Sequence, residues 1–235
     1  MYINNEIKKI KGLIYNEKGY PSLTENNIKL VDNYVKTKSS YAANKSDNFV
    51  KNYFKDHIGD TSLSSVITKV ILINTVDSTN LKVHLGKDYY ILMAQRIIDS
   101  NIEELIKQGL PIGKKFKEIA SWPAKKNSNK KDLNLFIFAS KYITRVNQYC
   151  YNRNDYSILD TVVKDNLPLY NSPENNIYIP NLESIRLNYE YDKYCQVISS
   201  ILLKFPNITR EMLDHFIWFT FKREAVRDNY ESINN

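Results

Sequence analysis

Apolar residues along the 235-residue chain recur mainly at three- and four-residue intervals, the spacing of helices with one buried face. The pattern predicts surface helices over residues 24–36 and 46–56, where Phe49, Tyr53 and Phe54 share a face. Residues 62–76 group Leu63, Val66, Ile67, Val70 and Ile71, although their β-branched side chains leave a strand open as an alternative. Another helix is expected over 88–98, carrying Tyr90, Leu92, Met93 and Ile97. Asn101 and Glu104 have the spacing of a capped helix start, and Gly109 and Pro111 close that short helix. Residues 132–149 are apolar almost all round, which predicts a central helix buried on most sides. Two further helices are expected over 181–204 and 208–222, separated at Pro206. Strand ladders, hairpins and internal repeats leave no trace in the pattern, and 124–131 reads as a solvated connector. The expected fold class is all-α.

Composition narrows the function classes mostly by exclusion. With 43% hydrophobic and 25% charged residues, the chain has the composition of a folded globular protein. No apolar run is long enough for a membrane span, and the first residues lack the apolar core of a secretory leader, so neither is expected. Cys150 and Cys195 are too few for a disulfide framework or a four-cysteine metal site, and Cys150 reads as packing. His57, His84 and His215 show no metal-ligand spacing, so neither metal nor cofactor is expected, and His215 reads as a packed or surface residue. Only six glycines occur, none after Gly113, and the glycine-rich loops that cradle phosphates in P-loop and dinucleotide-binding proteins are absent. The eighteen tyrosines are first a matter of composition, since Asn, Lys and Ile are over-used as well.

Charge is more informative. Residues 111–145 hold nine basic side chains (Lys114, Lys115, Lys117, Lys125, Lys126, Lys130, Lys131, Lys141 and Arg145) against Glu118 and Asp132. That difference equals the chain's net charge of +7, so the remainder is neutral. One localised anion-facing surface fits this distribution, and so does an ordinary solvated face. Trp122, inside the basic stretch, suits a hydrophobic clamp beneath the loop or an aromatic platform for a base.

The candidate chemistry lies in FIFASKYITRVNQYCYNRNDYSILDTVV, residues 136–163. Lys141 sits in the apolar helix and Asp160 nineteen residues later, where a new helical run opens. Asp160 suits first an N-cap, the commoner role at such a position, and as the sharper alternative a carboxylate held at a cleft floor facing a developing positive charge. Lys141, on a helix apolar almost all round, suits a lysine snorkelling from a buried helix.

Four patches resemble the helix–hairpin–helix (HhH-GPD) DNA glycosylase superfamily, in particular bacterial proteins with the 8-oxoguanine glycosylase fold. YSILDTVV is similar to their YPIYDSYV-type segment and to the VDTH segment of endonuclease III-type enzymes. FASKY resembles their SFATKYC, LINTVDSTNL (72–81) resembles the LLSAQATD and LNxxxSTxI segments, and ITREMLDHFIWFTFK (208–222) resembles a closing helix with an L-D-x-x-L-W pattern. The patches occur in family order over residues 72–222.

The resemblance implies a two-lobed helical glycosylase core over 61–235, with residues 1–60 a helical segment packed on or extending it. It implies Asp160 as the carboxylate that stabilises the oxocarbenium-like sugar, and Lys141 as the Schiff-base amine of a bifunctional enzyme. Asn80 falls where relatives fill the gap left by an extruded base, because the bond cannot be attacked inside the stack. Lys114, Lys115, Lys117, Lys125, Lys126, Lys130, Lys131 and Arg145 would meet DNA, and Tyr142 and Tyr156 would line a base pocket. The implied protein is a cytoplasmic, nucleoid-associated monomer acting on modified or damaged duplex DNA, in repair or in defence against foreign DNA.

Two features depart from the family. Its glycine-rich hPGhG hairpin is replaced by PAKKNSNKKDL, and Lys141 is expected about nine residues into its helix instead of in the first turn. A DNA glycosylase is therefore set against a non-catalytic nucleic-acid-binding protein on the same fold, and against a helical interaction protein whose basic loop meets an acidic partner.

Overall fold

The computed structural model describes residues 3–38, 41–77, 79–123, 132–173 and 176–222. The fold is all-α, with one small two-stranded sheet. Helices α1 (Glu25–Lys38), α2 (Tyr41–Asp56), α3 (Leu63–Val76), α4 (Leu81–Leu85), α5 (Tyr89–Ser100), α6 (Ile102–Gln108) and α7 (Gly113–Ala120) lead to the hairpin β1 (Ser121–Pro123) and β2 (Asp132–Asn134). Then follow α8 (Phe136–Tyr151), α9 (Thr161–Asn166), α10 (Leu182–Leu187), α11 (Tyr191–Leu202) and α12 (Arg210–Phe221).

The ambiguous apolar stretch at 62–76 is a helix. Ser62 caps it by accepting from the Ser65 amide, and Val66, Val70 and Ile73 are buried where α3 packs against α5. α8 is central, with eleven of its sixteen residues buried, and it touches α2, α3, α6 and α7. One contiguous core joins Ile7 and Ile28 at the N-terminal end to Phe136 on α8 and Phe216 on α12. α1 lies along α12, where His215 Nδ1 is 2.7 Å from Asp32 Oδ1 and the Asn4 amide donates to the Thr220 carbonyl at 2.9 Å.

Several local expectations need correction. The hairpin was not expected, and it pairs Ser121 with Asn134, Trp122 with Leu133 and Pro123 with Asp132. Three-residue strands are too short to display alternation. Residues 124–131, with Lys125, Lys126, Lys130 and Lys131, lie outside the described residues. Asn101 does not cap α6 with its side chain: it takes a left-handed conformation (φ 55°), and Glu104 bonds forward to Gln108. Residues 181–204 form two helices because the chain turns through Tyr189 at φ 58°. α8 starts later than expected, so Lys141 is its sixth residue and not its ninth.

Candidate functional site

Asp160 begins as a backbone feature. It has extended dihedrals at the N-cap of α9, and its Oδ1 accepts from the Val163 amide at 2.9 Å. Residues before it run without regular secondary structure, and tyrosine hydroxyls tie them to their surroundings. Tyr156 Oη donates to the Leu110 carbonyl at 2.7 Å, Tyr191 Oη to Ser157 at 2.8 Å and Tyr194 Oη to Ile158 at 2.6 Å. The Leu159 amide donates to Ser140 Oγ on α8 at 3.3 Å. These bonds satisfy a buried, non-helical backbone and fix where Asp160 emerges.

Lys141 leaves α8 on the same side. Its Nζ donates to the Asp77 carbonyl at 2.9 Å and lies 3.9 Å from Asp77 Oδ1. The Asp77 carboxylate, at the C-cap of α3, also accepts from Arg145 Nη2 at 3.2 Å. Burial works against the Arg145 charge, but Asp77 and the Tyr149 ring more than offset it and raise its pKa.

Asn80 is placed by α3. Asn74 Oδ1 accepts from Thr79 Oγ1 and from the Leu81 amide, each at 2.9 Å, so the loop turns sharply before α4. Asn80 takes the left-handed conformation there (φ 55°), which asparagine tolerates better than most residues, and its side chain makes no capping bond.

These three side chains meet. Asn80, Lys141 and Asp160 line one cleft of about 330 Å³, closed further by Thr79, His84, Asn134, Leu135 and Phe138. Asp160 is partly exposed to it, and among the described residues nothing bonds its second oxygen. Asn134 sets the near wall: its Oδ1 accepts from the Phe136 amide at 3.0 Å and its Nδ2 donates to the Arg186 carbonyl at 2.9 Å.

Other expected site residues lie elsewhere. Tyr142 does not line the cleft: it is fully buried, and its hydroxyl bonds Glu103, which also holds Lys69 Nζ at 2.8 Å. Tyr156 is buried against Tyr191 with its hydroxyl committed to Leu110, so it too is structural. Arg145 is turned to Asp77 and does not project as a solvent-facing cation. On α7, Lys114 and Lys117 are exposed, while Lys115 pairs with Glu118 at 3.0 Å. Trp122 is partly buried: its indole donates to the Ile119 carbonyl, and Arg96 sits 4.3 Å over its ring. Cys150 is buried and desolvation pushes its thiol up to about 12, which suits packing.

Three further residues were not anticipated as part of the site. His84 lines the cleft. Asp214 on α12 does not line this cleft but feels the Asp160 charge; burial first, and then that charge, raise it to about 7, against the pull of Arg145 and Lys141. Lys222, at the end of α12, sits 3.8 Å over the Trp218 ring, and its pKa is lowered by desolvation and by Lys141 while Asp160 opposes. No motif contains His84 or Lys222, which only the fold groups with Asp160, whereas Asp214 is the aspartate of the L-D-x-x-L-W patch, which had carried no assigned role. Among the described residues, no cluster of His, Cys, Asp or Glu could hold a metal ion, and no helix is long and apolar enough to cross a membrane.

The molecule is thus an all-α protein with a cleft lined by an aspartate, a lysine, a histidine and an asparagine. It belongs to the HI_0787_N family, described as an N-terminal domain, which matches residues 15–150. The match takes in Asn80, His84 and Lys141 and ends on α8, before Asp160 and Asp214. No curated protein and no solved structure matches the chain.

Proposed function

We propose that the cleft is a base-excision site, and that the protein is a DNA N-glycosylase of the helix–hairpin–helix kind. The observation that carries this reading is the convergence of Asn80, Lys141 and Asp160, 61 and 19 residues apart in sequence, on one cleft. Exposed Lys114 and Lys117 lie on α7, which precedes the β-hairpin leading into α8.

Cleaving an N-glycosidic bond builds positive charge on the sugar. Asp160, fixed as a cap and open through its second oxygen, supplies a pre-placed negative charge at little reorganisation cost. Asn80 projects from a tight turn, as a residue that enters the stack when a base is extruded must do. Lys141 is bound to the Asp77 carbonyl, so Schiff-base chemistry requires that bond to break. Hydrolysis by water, with Lys141 orienting the cleft, requires no such rearrangement, and the geometry favours that course. Contacts to DNA through lysines would weaken steeply with salt.

The second reading is a non-catalytic DNA-binding protein on a degenerate glycosylase fold, favoured by the glycine-free hairpin. Incubation with duplexes carrying oxidised, alkylated or phage-type modified bases, followed by scoring of abasic sites, separates the two. Abasic sites at one class of lesion support excision. Tight duplex binding without a single abasic product supports the non-catalytic protein.

A further inference from the structure

Excision needs a proton as well as a carboxylate. A neutral base leaves as an anion unless an acid meets it, and Asp160, as the carboxylate facing the sugar, is in the wrong state to donate. Lys141 is engaged by Asp77. The remaining titratable group on the cleft wall among the described residues is His84, in the last turn of α4. Its imidazole is partly buried, and among the described residues it has neither a hydrogen-bond nor an ion-pair partner. Its position is built: Asn74 pins the start of α4 through the Leu81 amide, and Gly86 at φ 88° turns the chain away directly after it.

We propose that His84 is the general acid that protonates the departing base, an inference that rests on the excision reading above. The C1′–N bond breaks with both electrons passing to the base nitrogen, and the imidazolium gives its proton to the base. Water then adds its oxygen to C1′ and loses a proton through Asp160 to solvent, and His84 regains a proton from solvent. Imidazole is the side chain that ordinarily changes charge between about pH 5 and 8, which suits this duty near neutrality.

The charged groups bordering the same cleft are Lys141 from α8 and Asp160 before α9. α5, packed against α4, brings Tyr89 and Tyr90, and α4 itself carries exposed Lys82. Asp214, raised to about 7 by burial and by the Asp160 charge, is a carboxyl that would itself shape a pH profile, so its variant is the necessary comparison.

The test is single-turnover base release between pH 5 and 9 by wild type, His84→Gln, Asp214→Asn and Asp160→Asn, on a lesion duplex that wild type processes. His84→Gln is expected to release base about 10²–10⁴-fold more slowly at low pH and to lose the fall in rate that wild type shows as pH rises. Asp214→Asn keeps that fall, and His84→Gln binds the lesion duplex as wild type does. Parallel profiles for wild type and His84→Gln overturn the proposal, as does a loss of DNA affinity that accounts for the slower release. A limb that vanishes in Asp214→Asn also overturns it. Release that depends on Asp160 but not on His84 rejects the acid and keeps excision, whereas no release by wild type from any duplex rejects both.

Discussion

Ser140 Oγ accepts a hydrogen bond from the Leu159 amide at 3.3 Å, joining the neighbour of Lys141 to the neighbour of Asp160. Ser140 is fully buried on α8, so this bond sets the distance between the two halves of the cleft from inside the core. Ser140→Ala leaves a buried amide unsatisfied and is expected to destabilise the fold by about 1–3 kcal/mol. Urea denaturation measures that loss. On the proposed excision reading, base release is expected to drop further than DNA affinity, because the displaced group is Asp160, the carboxylate proposed to act on the sugar, and not a phosphate contact; an equal drop in both would show that the bond merely supports the fold.

The buried Lys69–Glu103 pair ties α3 to α6, and the Tyr142 hydroxyl adds α8. Lys69 is entirely enclosed, so Lys69→Met strands a carboxylate and is expected to cost about 3–5 kcal/mol. Replacing both partners by apolar residues of similar volume removes the unpaired charge, and the Lys69→Met/Glu103→Leu protein is expected to recover much of the loss. Chemical denaturation of the single and double variants gives the comparison. A double variant no more stable than Lys69→Met would contradict the pairing.

Asp214 makes stability depend on pH in a direction opposite to that of most carboxylates. Its folded pKa of about 7 lies above the ordinary value of a carboxyl in an unfolded chain, so the native state binds the extra proton between roughly pH 4 and 7. Stability from this group therefore falls as pH rises through that window. Asp214→Asn removes the ionisation and is expected to be more stable than wild type at pH 8, by on the order of 2 kcal/mol, with the gap closing near pH 4. Thermal or urea melts at the two pH values check it. A gap of the same size at both would show that Asp214 is not held protonated in the folded state.

The helical architecture was legible because its determinants are local. Apolar positions at helical spacing mark α3, α5 and α8, and single residues such as Ser62 and Thr209 cap helices by accepting from the amide three residues on. Asp160 was legible as a cap, and the structure shows that cap while leaving its second oxygen without a bond among the described residues. What stayed hidden depends on contacts distant in sequence. Asn74 and Asp77 position Asn80 and Lys141 through side-chain bonds that no periodicity records. Tyr142 and Tyr156 lie close in sequence to the site residues, yet α8 and the core turn them away from the cleft. Tyr191 and Tyr194, hidden within an ordinary abundance of tyrosine, hold the chain that leads to Asp160.

The central claim is that Asp160 cleaves a glycosidic bond from within this cleft, and its most direct measurement is the single-turnover rate of base release by Asp160→Asn against wild type on the same lesion duplex. Asparagine keeps an oxygen to accept from the Val163 amide, so the cap and fold are retained while the charge is lost. The account predicts a release rate lower by at least about 10²-fold with duplex affinity preserved. A variant that releases the base as fast as wild type would contradict it.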